Sequence, residues 1–436
     1  MKKFLYSVFM LAAVVLAACS NDDNGDIQLK RGMTLNASVE NLSSRATMTD
    51  ESGTWKFAFA VNDQVSVSNS KISNYYTFTN NGSQFTSAQA EATTENADWY
   101  AYFPGNEVNL TNQTGDFANV ANYFAVAGGT AEATTGEKGL SITLKPKVAV
   151  LRVVAVDKKG ILDIHVKTTA DDKWVKGLTA TKNAAEFTVS TSDTKTTLLH
   201  KAEGTVNAGE INYVVVPAGV KIEIYNGDLL LNKTKDAGLT AGKYYTITSG
   251  PTKGTETATL ANGTTETVEW VQLWAGGPRF ATKNVAEEMT WTDAAKTGKN
   301  YAWGEKWRTP TAAEVTEEGG LQAEWNTKEG KWVVKEGSPT INVTTKDGIE
   351  ETVEFTGVQP GYTKNTLTLY NKIDSHGYSH FNFWTTTENN GYGCMYRIMI
   401  DKGIIGIFGP SSFESKDTKC LVRPVLSIQN ITNNKK

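Results

Sequence analysis

Apolar and polar residues alternate along most of the chain. In "WKFAFAV", Trp55, Phe57, Phe59 and Val61 fall on one face of an extended strand, and Lys56, Ala58 and Ala60 on the other. "DQVSVSNS", "YYTFTN", "DWYAYF", "VAVLRVVAV" and "INYVVV" repeat the theme. "KIEIYNGDLLL" and "TATLANGTTETVEWV" predict hairpins at Asn226-Gly227 and Asn262-Gly263, dipeptides suited to the positive φ of a tight turn. "CMYRIMIDKGIIGIF" predicts another, with strands over 394–400 and 404–408 turning at Asp401-Lys402-Gly403. Helical periodicity is scarce, so the expected class is mainly β. Short strands at this spacing suggest packed sandwiches, and the stretch up to residue 250 has room for two, with "LKPKVAV" at 144–150 as the seam.

Tryptophan divides the chain. Trp55, Trp99 and Trp174 precede residue 251, and the other eight of eleven follow it. "SGPTKG", 249–254, reads as the linker between these compositions. A length of 436 residues accommodates roughly three domains. The expected boundaries are a signal segment 1–18, a tether 19–30, two sandwiches over 31–145 and 146–250, and a third domain over 251–430. A formal net charge of −4 offers no basic field for nucleic acid.

"MKKFLYSVFMLAAVVLAAC" joins Lys2-Lys3 to a short apolar run and small residues, the make-up of a secretory signal. Its ending resembles the bacterial lipobox, which implies lipidation of Cys19. Acyl chains at about 0.8 kcal/mol per buried CH₂ would anchor the protein. The acidic "SNDDNGD" that follows resembles export signals of surface lipoproteins, implying the outer face of the outer membrane. Contact with the membrane is then expected through the lipid alone. Outside the cytoplasm Cys394 and Cys420 could form a disulfide or remain buried thiols.

Between about residues 27 and 250 the order "LNASVENLSSRA", "W…VNDQVSVS", "YYTFTNNGSQF", "DWYAYFPGN", "LKPKVAVLRVVAV", "LTAGKYYTIT" resembles the fimbrillin (Mfa-like) family. The resemblance implies two transthyretin-like β-sandwiches and a place in surface fimbriae. It also implies proteolytic maturation after an arginine, here Arg45, which could equally be a solvated strand end. Partner fimbrial subunits would join by donor-strand exchange, a strand adding main-chain hydrogen bonds to an open sheet edge. This chain continues past "KYYTIT", so it would accept a strand without donating one, as a fibre-tip or accessory subunit does.

The final region contains "LWAGGPRFATKNVA", "NYAWGEKWRTPTAAE", "HFNFWTTTENNGYGCMYRIMI" and "KCLVRPV". In that order they resemble the FISUMP-type (major paralogous) domain, which implies an α+β C-type-lectin-like fold. Val315 departs from the usual tryptophan, Gly319-Gly320 cuts the following helix short, and 321–360 matches poorly.

Chemistry is sought first at Glu314. Thr311-Ala-Ala-Glu314 is the pattern of a capping box, in which the carboxylate holds a helix end and makes a poor general acid. Asp374, His376 and His380 lie in "DSHGYSH", read as a loop rather than a metal site. No Ser-His-Asp set, phosphate loop or metalloprotease motif is present, so no catalytic residue, metal or cofactor is assigned. The resemblance implies a ligand face around 384–420, with Asn389, Asn390, Tyr392, Tyr396, Arg397, Ser411, Ser412 and Phe413 as the candidates. Trp384 is expected in the core, and Arg423 in a structural ion pair. The reading is a non-catalytic surface lipoprotein, an adhesin whose ligand is a glycan or a protein. The alternatives are a stand-alone anchored glycan-capture protein, or an enzyme using the cysteines or the histidine loop.

Overall fold

The computed structural model describes residues 33–39, 50–51, 54–55, 59–88, 97–133, 139–157, 160–317, 319–328, 331–346, 350–359, 362–370, 372–373, 379–401 and 404–427. Cys19, Arg45, Asp374 and His376 lie outside the described residues, and so do the side chains of His380, Ser411 and Ser412.

The first body is a seven-stranded closed sheet. Its order is Met33–Val39, Leu140–Pro146, Val126–Ala133, Ala97–Phe103, Gln64–Asn69, Tyr76–Asn80 and Phe85–Ser87, returning to the first. Closure depends on Met33–Val39, which runs parallel to one neighbour (Leu35↔Leu140) and antiparallel to the other (Leu35↔Phe85). A sandwich sewn in this way keeps no open edge. Leu35, Val65, Val67, Phe78, Trp99 and Leu144 fill its interior. Of the expected "WKFAFAV" strand, Thr54–Trp55 is extended, 56–58 lie outside the described residues, and Val61 sits in a turn and is 60% exposed. Asn62 at φ 73° opens that turn and overrides the alternating pattern.

Only Lys147 separates Leu140–Pro146 from Val148–Val154, the central strand of the second body. Val148–Val154 pairs antiparallel with Ile211–Pro217 and parallel with Tyr244–Thr248. The facing sheet runs Phe187–Ser192, Trp174–Ala180, Gly160–Thr168, Ile222–Asn226 and Leu229–Lys233. Glu107–Asn109, from the first half of the chain, adds to Trp174–Ala180. One hydrophobic core runs through both bodies. At the seam the Tyr102 hydroxyl lies 2.9 Å from the Thr181 carbonyl oxygen and 2.8 Å from that of Ala184.

The third region begins without a flexible link. Ser249 and Thr252 are buried; Val156 N donates to Ser249 Oγ (3.1 Å) and Gln272 N to Thr252 O (2.7 Å). The expected linker is thus a packed junction. Val154 and Val156 of the second body meet Tyr362 and Ala275 of the third, and Arg279 pairs with Asp157 at 3.2 Å. Beyond it a five-stranded sheet (Lys253–Thr259, Thr265–Gln272, Arg279–Ala281, Val425–Leu426, Trp307–Arg308) accompanies a three-stranded sheet (Thr340–Lys346, Glu350–Thr356, Thr366–Tyr370). A four-stranded sheet follows, Lys372–Ile373, Ser379–Asn389, Tyr392–Asp401 and Ile404–Glu414, and a two-stranded one pairs Ala323–Asn326 with Lys331–Val334. The helices Trp291–Ala294 and Ala312–Val315 are one turn each. Among the described residues no helix is long and apolar enough to cross a membrane.

Candidate binding surface

The platform under the candidate residues is built from two buried clusters. Trp274, Phe280, Phe355, Phe383, Tyr396 and Ile398 belong to one. Trp270, Trp303, Trp307, Trp384, Met395 and Val422 belong to the other. Neighbouring residues 395 and 396 fall in different clusters because successive strand side chains point to opposite faces. The strand Tyr392–Asp401 therefore has both faces covered over this stretch.

Trp384 is fully buried, and its indole N–H donates to Met289 O at 2.8 Å. Arg423 is fully buried and donates to the carbonyls of Ala281 and Thr368, each at 3.1 Å. At Glu314 both halves of a capping box are present. Glu314 N donates to Thr311 Oγ1 (3.1 Å), and Thr311 N donates to Glu314 Oε2 (2.8 Å). The carboxylate is also gripped by Arg308, through Nη1 to Oε2 at 2.8 Å and through Nη2 to Oε1. Burial alone would raise the Glu314 pKa; the hydrogen bonds from Arg308 and Thr311 and the Arg308 charge outweigh it and hold the carboxyl below its usual range. Its lone pairs are occupied, which suits holding the helix end against Arg308.

Neither cysteine is in a disulfide. Cys420 Sγ rests 3.8 Å from Met395 Sδ, and Met395 points to the sheet face opposite Cys394. The two thiols thus belong to different sides of one strand, which corrects the possible bridge. Burial pushes both thiols up, Cys420 to about 12, so they remain protonated and weakly nucleophilic at neutral pH.

Strands Ser379–Asn389 and Tyr392–Asp401 join at Asn390-Gly391, both at positive φ (50° and 83°). The Asn-Gly dipeptide is a sequence signal for this tight hairpin, although the stretch read as a polar flank. Asn389 and Asn390 are exposed there, beside Tyr392 at 52% exposure. Phe413, 49% exposed, sits opposite Cys394 in register. Tyr392 is two residues from Cys394, so both aromatic side chains project from the same sheet face, within diagonal reach. Arg397 is half-buried and pairs with Glu414 at 3.1 Å, on the other face. Tyr396 is corrected: it is fully buried, stacked on Phe383 at 5.1 Å, with its hydroxyl donating to Leu321 O. The surface candidates with described side chains are therefore Asn389, Asn390, Tyr392 and Phe413, with Arg397 partly accessible.

Trp291, absent from the sequence-level candidates, braces this end. Its indole N–H donates to Thr385 O at 2.9 Å, Lys416 covers its ring at 4.5 Å, and Lys416 pairs with Glu388 at 2.8 Å. A Cβ on Gly393 would lie 2.4 Å from Trp291 Cδ1, so only glycine admits the ring there. Gly393→Ala is expected to cost about 1–3 kcal/mol by overpacking. A denaturant midpoint shift, with exchange of the 385–393 amides sped up, would check it.

No protein-family model and no curated protein matches the chain. Among solved structures, one assigned to cell adhesion, from Bacteroides uniformis, is 12% identical; the alignment covers 55% of this chain and 97% of that one, with a TM-score of 0.31. A fimbrial protein from Bacteroides ovatus is 12% identical over 91% of this chain and 99% of its own, with a TM-score of 0.24.

Proposed function

We propose that the chain is a non-catalytic surface lipoprotein, anchored through Cys19. In this reading two fimbrillin-like bodies carry a C-type-lectin-like recognition domain, and the protein acts as a tip or accessory adhesin. The observation that carries the reading is the pair of exposed aromatic side chains, Tyr392 and Phe413, on one face of a sheet fixed by buried tryptophans. Large exposed aromatics on a rigid support suit either stacking on sugar rings or anchoring a protein contact. The packed junction at Val156 and Tyr362 supports the same reading, since a head fixed to its stalk transmits load without a hinge. Depressed nucleophilicity at Cys394 and Cys420 and the occupied Glu314 carboxylate fit a binding role better than turnover.

The test is binding of the full mature chain to a glycan array and to a panel of matrix proteins. The double variant Tyr392→Ala/Phe413→Ala is expected to lose affinity by about 2–4 kcal/mol, the scale of two interface hot spots. Undiminished binding by that variant, with its fold intact by circular dichroism, would remove this face from the reading.

A further inference from the structure

The second body brings an amine, a carboxylate and a carboxamide to one spot, far in sequence from the candidate binding surface. Lys201 lies on Leu199–Val206, which pairs with Gly160–Thr168 of the larger sheet. Asn212 lies on Ile211–Pro217, at the edge of the three-stranded sheet that faces it. Residues 207–210 turn the chain from one sheet to the other. Glu210 N donates to Asn207 O (3.0 Å), Gly209 N to Ala155 O (2.9 Å) and Ala155 N to Glu210 O (3.0 Å). Glu210 is therefore held in place where the chain crosses between the sheets.

Its two carboxylate oxygens have different neighbours. Oε2 accepts from Asn207 N at 3.0 Å. Oε1 accepts from Asn212 Nδ2 at 3.4 Å and lies 4.0 Å from Lys201 Nζ. One oxygen atom is thus shared by the ammonium and the carboxamide. The segment 113–115 covers the group. Gln113 Nε2 donates to Val215 O (2.9 Å), Val215 N to Gln113 Oε1 (2.7 Å) and Tyr213 N to Gly115 O (2.8 Å). A Cβ on Gly115 would lie 2.8 Å from Asn212 Oδ1 and 3.2 Å from Lys201 Cε, so both side chains converge beneath the glycine.

As an ion pair, Lys201 and Glu210 are at the limit of contact and partly in solvent, with 23% and 30% of their side chains exposed, where the attraction is small. The carboxamide, by contrast, is buried. Groups held together in this way react as if at very high concentration, with effective molarities of about 10⁵–10⁸ M in well-oriented cases. Nζ is one rotatable bond beyond Cε, so rotation about Cδ–Cε moves it while Cε keeps its place.

We propose that Lys201 and Asn212 condense into an isopeptide bond that staples the two sheets of the second body, with Glu210 as the proton relay. Glu210 Oε1 takes a proton from the Lys201 ammonium. The freed lone pair on Nζ attacks Asn212 Cγ, and the carbonyl π pair moves to Oδ1. Glu210 gives its proton to Nδ2, the Cγ–Nδ2 bond breaks as the π bond re-forms, and ammonia leaves. The carboxylate then takes the second proton from Nζ and passes it to the ammonia, which departs as ammonium. One amide replaces another, so the step needs no oxidant, reductant or co-reactant.

The experiment is tryptic digestion of the full folded chain, with the peptides mapped by tandem mass spectrometry. Trypsin does not cut at an acylated lysine. Wild type is expected to yield 196–221 uncut at Lys201, one ammonia lighter than its sequence, and without fragment ions from inside the closed loop 201–212. Lys201→Arg is expected to give both peptides at full mass. Glu210→Gln, folded by circular dichroism, is expected to form the bond about a hundredfold more slowly, the scale of one lost acid–base group. Free Lys201 and Asn212 in folded wild type after several days at growth temperature would overturn the bond. A loss of water in place of ammonia would put the link on Glu210 and overturn Asn212 as the electrophile. Loss of ammonia mapped only to Asn226-Gly227 or Asn262-Gly263 would be succinimide formation and would equally overturn it. An unchanged rate in Glu210→Gln would overturn the relay.

Discussion

Trp384→Ala is expected to unfold the third region while leaving the first two bodies folded. The indole is fully buried in a cluster with Trp303, Trp307, Met395 and Val422, and its N–H satisfies Met289 O. Truncation to alanine leaves a cavity worth about 3–5 kcal/mol and removes one of two hydrogen bonds to Met289 O, which still accepts from Cys420 N at 3.0 Å. That is a large part of the 5–15 kcal/mol or so by which a domain is typically stable. Fluorescence is a selective readout, because eight of the eleven tryptophans follow residue 251. The emission transition should move to markedly lower denaturant, whereas amide exchange in Val65, Phe78 and Val150 should be unchanged. A coincident shift in those amides would mean that the packed junction couples all three bodies into one cooperative unit. An unmoved emission transition would contradict the burial of Trp384.

Much of this architecture is legible in the residues. The hairpins at Asn226-Gly227 and Asn262-Gly263 form where the dipeptides place them, with Gly227 and Gly263 at φ 59° and 81°. Local chemistry decides such turns, so local sequence reveals them. What stayed hidden depends on distant partners. Closure of the first body requires Met33–Val39 to meet strands some fifty and a hundred residues away, and no pattern in "MTLNASV" names them. Gln113 looks like an ordinary loop residue until Val215 is opposite it. In the linker-like "SGPTKG", Ser249 and Thr252 are buried by hydrogen bonds with Val156 and Gln272 that its own composition opposes. Tyr396 misled for a related reason. Alternation sorts residues into inside and outside only when one face of a strand meets solvent, and here Met395 and Tyr396 are both buried. Asn389, Asn390, Tyr392 and Phe413 were accessible to sequence reasoning because turn ends and flanking segments are where side chains reach solvent.

Glu314 offers the second large effect and separates its two tasks by pH. Glu314→Gln keeps a side chain able to complete the capping box but removes the charge that Arg308 grips. Glu314→Ala removes both. Arg308 and Glu314 are each partly accessible, at 23% and 32% of their side chains, so solvent discounts the ion pair to about 1 kcal/mol or less. The cap adds about 1 kcal/mol. At neutral pH the expected order of stability is wild type, then Glu314→Gln, then Glu314→Ala, with the last about 2 kcal/mol below the first. The folded-state pKa lies below the ordinary 4.5, so the charge contributes fully above that value and its contribution is lost as pH falls through the folded pKa. In acid, wild type and Glu314→Gln should therefore converge, because both then present a neutral side chain to Arg308, while Glu314→Ala stays lower. Urea titrations from neutral pH downward, continued until the gap between wild type and Glu314→Gln stops changing, measure both gaps. A wild-type advantage over Glu314→Gln that persisted undiminished in acid would show that packing, rather than the ionised carboxylate, holds Arg308 against the helix end.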